Sequence, residues 1–196
     1  MRVHSRWFRR HARGPEETAG ALAFIAWRAA LAMLARMRRA GFTLDAGPRY
    51  FDLLSEALAF ALQVSWRIAY DRLDAAGREA FAIAAAHRAA AILAENEAEL
   101  LGQASRAQLE ARFIARLNRR FDDYAPFGYG REGPDFAFLR CFAALVCEVV
   151  PEPDRRWVHD QVIAIEGPEA AATIARALAD LLEPACAARF EQRALP

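Results

Sequence analysis

Residues 48–73 read PRYFDLLSEALAFALQVSWRIAYDRL, and the spacing of their polar positions decides the fold. At about 100° per residue, Asp52, Glu56, Gln63 and Arg67 fall within about 60° of one another on a helix. Tyr50, Phe51, Leu54, Leu58, Leu62, Val64, Trp66 and Ile68 take up most of the remaining circumference. A helix this apolar must be covered on more than one side. The segment is therefore expected at the centre of a helical bundle, or as one face of a dimer.

The flanking stretches carry the same period. Upstream, Gly14-Pro15-Glu16-Glu17 combines a break with carboxylates suited to a helix start, and Arg36, Arg38, Arg39 and Gly41 suit its end. Asp45-Ala46-Gly47-Pro48 then opens the second helix. Downstream, Asp74 is a cap for a third helix ending at Leu101-Gly102, and Ser105 caps a fourth that returns as a hairpin partner. Residues 126–134 hold three glycines and two prolines and read as a loop. A fifth helix runs from Phe136 to Pro151. Asp154 is expected to cap a short helix, and Gly167-Pro168 to break it and start another that runs to about Leu182, before Pro184. The fold class is all-α: a single compact bundle of six to eight helices, the first five long and the C-terminal ones short. Residues 1–15 read as a basic, flexible segment and 16–196 as one helical domain.

Composition agrees with that class. Hydrophobic residues are 55% of the 196, enough to offset the entropy of ordering one domain. Alanine and leucine outnumber the β-branched types, which favours helices over sheets. All 26 basic residues are arginine, so Schiff-base and phosphate-loop lysine chemistry are excluded. Such a bias points to a GC-rich bacterial genome. Cys141, Cys147 and Cys186 are an odd number in a chain with a sizeable core, which points to a reducing, cytoplasmic setting. Residues 18–35 are apolar enough to suggest a membrane span, but Arg28 at their centre argues for a core helix instead.

Few residues suggest chemistry. His87 lies among Ile83, Ala84, Ala90 and Ala91 on its helix and is expected to be a packed core histidine. Glu56 is the most interior-looking carboxylate, and Tyr70 ends the same helix. Together Glu56, Tyr70 and His87 are the candidate contacts for a small molecule or cofactor in an internal cavity. His159 and Asp160 are adjacent and expected to point apart. Cys141 and Cys147, six apart, face about 240° away from each other and read as small apolar groups. No metal site and no resident cofactor are expected. Glu95, Glu97 and Glu99 crowd a helix C-terminus, where Arg106 and Arg112 from the next helix can offset them as exposed pairs. Arg112, Arg116 and Arg119 form a ridge, expected on the solvent side, with Asp123 at its end.

Three functions are open at this level. The leading one is a non-enzymatic accessory protein working by contact with protein, its own copy included, through the apolar first, second or fifth helix. The second is a bundle that binds a hydrophobic small molecule, cofactor or metal. The third is binding to nucleic acid or an anionic membrane through the basic head, with Trp7 and Phe8 among its arginines, and the helix-four ridge. The net charge of +1 and the lack of a nucleic-acid motif weigh against that last reading.

Overall fold

The computed structural model describes residues 14–102 and 104–182. The basic head, with His4 and His11, and Cys186 lie outside the described residues. Within them, α1 spans Pro15–Arg39, α2 Pro48–Tyr70, α3 Ala75–Leu101, α4 Arg106–Tyr124, α5 Phe136–Val149, α6 Arg155–Gln161 and α7 Gly167–Leu182. Two residues on each side, Tyr129–Gly130 (β1) and Gly133–Pro134 (β2), pair as an antiparallel hairpin in the loop before α5. The all-α class is thus observed. Shortness at the C-terminal end holds for α6 alone, since α7 has 16 residues against 14 in α5.

Local devices set most boundaries. Asp74 accepts from Gly77 N–H at α3, and Gly102 closes that helix in the left-handed region at φ 62°. Ser105 and Gln108 form a reciprocal capping box at α4. Asp135 caps α5 through Phe138 N–H and also accepts from Gly128 N–H, tying the hairpin to the helix start. These bonds hold the Asp135 carboxyl below its ordinary range.

Two expected boundaries are corrected. Asp154 caps nothing; it ends a 3-10 turn, and its carboxylate accepts instead from Thr43 N–H at 2.9 Å. Gly167-Pro168 does not break the chain into separate helices. Val162–Glu166 forms a π turn that carries α6 into α7, with Gly167 N–H reaching back five residues to Val162 O. The wider turn lets the helical path continue through a proline that cannot donate. A Cβ at Gly167 would lie 2.7 Å from Leu139 Cδ2, so glycine permits the close approach of α7 to α5.

The helix α2 is the centre. It packs against α1, α3, α4, α5 and α7, and residues from Phe51 to Ala69 are buried along it. The chain itself covers most of α2, and only its first and last turns, the latter ending at the exposed Tyr70, reach the surface. Phe60 of α2 stacks on Phe142 at 4.1 Å between ring centres and meets Phe138 edge-on at 5.7 Å, while Tyr124 lies 4.6 Å from Phe138. These rings join α2, α4 and α5, at about 0.5–1.5 kcal/mol per pair beyond area burial.

Among the described residues α1 is long and apolar enough to cross a membrane, yet half of its most apolar window is buried inside the bundle. Ala19, Leu22, Ala26, Met33 and Met37 point into the core, and Arg28 faces out.

Candidate functional site

The polar stripe of α2 meets two different neighbours. Its first half faces α4. Glu56, 2% exposed, accepts two hydrogen bonds from Arg120, at 2.8 and 2.7 Å, and Arg116 Nε stands 3.6 Å away. Arg116 also donates to Asp52 at 2.7 Å, and Arg120 to Asp123. Each of the 52–116 and 56–120 pairs is separated by the same 64 positions, so α2 and α4 run in the same direction. The two-pronged Arg120–Glu56 geometry is the form in which a carboxylate tolerates burial. It holds the Arg120 guanidinium above even its ordinary range, the hydrogen bond to Glu56 being the main cause.

Of the expected solvent-side ridge, Arg112 and Arg119 are exposed, Arg112 reaching Glu97 from the surface. Arg116 is corrected, turning inward to Asp52 beside Arg120, which lies outside the expected ridge. At the start of the seam Arg112 pairs with Glu97, and Arg106 with Glu95. The partners are as expected, but Glu97 is buried rather than exposed. A third buried carboxylate, Glu166 in the π turn, accepts from Arg36 at 2.9 and 2.6 Å and from Gln161 at 3.1 Å.

The second half of the stripe has no such partners. Gln63 is buried, and its Nε2 has no hydrogen-bond partner among the described residues. An unpaired buried donor costs about 1–3 kcal/mol. Arg67 donates one bond, to Tyr124 O at 2.9 Å, and no carboxylate of the described residues lies within 4.0 Å of it. Here α4 ends, and a groove of about 410 Å³ opens between α2, the end of α4 and the hairpin. Gln63, Arg67 and Asp71 line it at successive four-residue steps, with Trp66 and Tyr70 on the adjacent ridge and Phe121 and Tyr129 opposite. Burial pushes the Tyr129 phenol up, so it is a neutral donor near pH 7. Behind Trp66 and Phe121, whose rings meet edge-on at 6.5 Å, a crevice of about 20 Å³ reaches Leu62, Phe81 and Leu117.

The three candidate contacts are not brought together. Glu56 belongs to the α4 seam. Tyr70, 56% exposed, lines the groove, and the Arg78 guanidinium covers its ring at 4.2 Å. His87 is exposed on α3, which corrects its reading as a core histidine. Its ridge is alanine-rich, and alanines bury too little area to pull that face inward. His159 and Asp160 do approach, Nδ1 to Oδ1 at 3.5 Å, because both side chains are exposed enough to swing together. Cys141 and Cys147 are half-buried free thiols; burial pushes Cys141 up to about 11, which keeps it an unreactive thiol at neutral pH. No group of three His, Cys, Asp or Glu side chains arranged to hold a metal is found among the described residues. Gln63 and Arg67 were visible in the sequence as members of the polar stripe. Trp66 read there as part of the apolar circumference of α2 and Tyr129 falls in the 126–134 loop, and no sequence signal put either of them, or Phe121, on one groove.

Comparison with protein-family models, with curated proteins and with solved structures returns no match.

Proposed function

We propose that this chain is a non-enzymatic accessory protein that works by binding a small organic ligand in the groove between α2, α4 and the hairpin. The observation that carries the reading is Gln63: a buried amide with a free donor, placed in the lining of an aromatic groove. Everywhere else along the same stripe the buried polar groups have partners supplied by the fold, whereas here the partner is supplied by the ligand. The groove's size is within the range of small-molecule sites, at about 300–1,000 Å³. Its location is an open groove rather than an internal cavity, and of the three sequence candidates it uses Tyr70. The setting proposed for it is the bacterial cytoplasm, on the arginine-only basic set and the odd number of cysteines.

The test is titration of the full chain with 1-anilinonaphthalene-8-sulfonate, an aromatic anion whose emission rises on binding. One saturable site, weakened by Phe121→Ala and by Tyr129→Ala, supports the reading. A dye response that neither variant alters goes against it.

Contact with protein is the second reading, favoured by Phe24 and Ile83, which stand exposed on α1 and α3, two helices packed side by side. Sedimentation that reveals a dimer weakened by Phe24→Glu would favour it, and a monomer at all concentrations would end the homodimer form. Nucleic-acid binding draws no support from α4, because Arg112, Arg116 and Arg120 already face carboxylates.

A further inference from the structure

Resting on that binding reading, we infer that the ligand class is a small organic monocarboxylate with a flat or branched apolar body. Its carboxylate sits against Arg67 and Gln63, and its body lies on Trp66 and Phe121.

Three observations lead there. The inner end of the groove is rich in donors: the Arg67 guanidinium, with one of its five N–H groups used on Tyr124 O, and the unpartnered Gln63 Nε2, beside the amide's own acceptor oxygen. A carboxylate matches both, since it is planar, accepts from a guanidinium fork and has lone pairs left for an amide. No carboxylate of the described residues is ion-paired with Arg67 within 4.0 Å, although its charge is felt by the Asp135 carboxyl. One turn further out, Asp71 lines the exposed mouth of the groove. A second acid group on the ligand would meet it at that end, so one negative charge fits and two do not.

The third observation fixes where the body goes. Trp66 and Phe121 line both the groove and the crevice behind it, so their edge-on pair is the partition between the two. An apolar body laid on this pair stands against the wall of the crevice lined by Leu62, Phe81 and Leu117, whose one polar member, Ser65, has its hydroxyl bonded to Ala61 O.

Three probes that share a ring and chain length separate the terms: 3-phenylpropionate, 3-phenylpropan-1-ol and 3-phenylpropylamine, titrated calorimetrically into the full chain. The acid is expected to bind about tenfold or more tighter than the alcohol, the scale of one charge-assisted hydrogen bond, and the amine not to bind. Arg67→Met should remove that advantage while leaving the alcohol unchanged, and Arg67→Lys should restore part of it. Gln63→Leu should weaken the acid several-fold, with circular dichroism confirming that each variant is folded. If acid and alcohol bind equally, or the amine binds best, the ligand class is wrong while groove binding stands. If none of the three binds and the dye response also ignores Phe121→Ala, the binding reading itself falls.

Discussion

One polar stripe on one helix has two outcomes in this molecule. Asp52 and Glu56, in the first half of α2, are matched by Arg116 and Arg120; Gln63 and Arg67, two to three turns on, pass beyond the reach of that arginine ridge. The difference is one of length. α4 runs alongside α2 only as far as Tyr124, and its last contribution is a backbone carbonyl to Arg67. Where two helices run together, buried charge is neutralised by the fold and becomes architecture. Where one stops, the same kind of residue is left with unmet hydrogen-bonding capacity, and a groove lies over it.

The comparison is broken most severely by Glu56→Ala. It leaves Arg120 in the interior with only Asp123, and the expected loss is about 3 kcal/mol, at the low end for a broken buried pair, measured by urea unfolding. Replacing Glu56 and Arg120 together by leucine should return most of that loss, because both desolvation penalties disappear at once. Gln63→Leu should move stability the other way. Removing a donor that has no partner is expected to raise stability by about 1 kcal/mol in the same assay while impairing the groove, and a net loss would mean that the amide is satisfied in the free protein. The smallest effect is expected at the far end of the seam, where both Arg106 and Glu95 are exposed. Arg106→Ala should cost about 0.5 kcal/mol or less and respond to salt, which thermal melts at two ionic strengths would measure.

What was legible in the sequence follows from range. Asp74, Gly102 and Ser105 act within four residues of themselves, so composition alone located three helix ends. The central position of α2 was legible because apolar coverage is a property of the helix itself. The direction of the α4 arginines was not: Arg119 and Arg120 are neighbours, and which one turns inward depends on Glu56, 64 positions away. The π turn was equally hidden. Glu166 is held by Arg36 across 130 positions, and no local signal distinguishes it from an ordinary glutamate before a Gly-Pro break. His87 misled because an apolar neighbourhood made of alanine looks like core in sequence while exerting little pull toward it.

The turn at Val162–Glu166 also works as a phase shifter. By accommodating one more residue than an α-helical turn, it sets the azimuth of everything that follows by roughly 100°. Ile174 and Leu178 lie on the buried side of α7. A chain one residue shorter at this point would still write a good helix, but that side would be turned by roughly 100° away from α1 and α2.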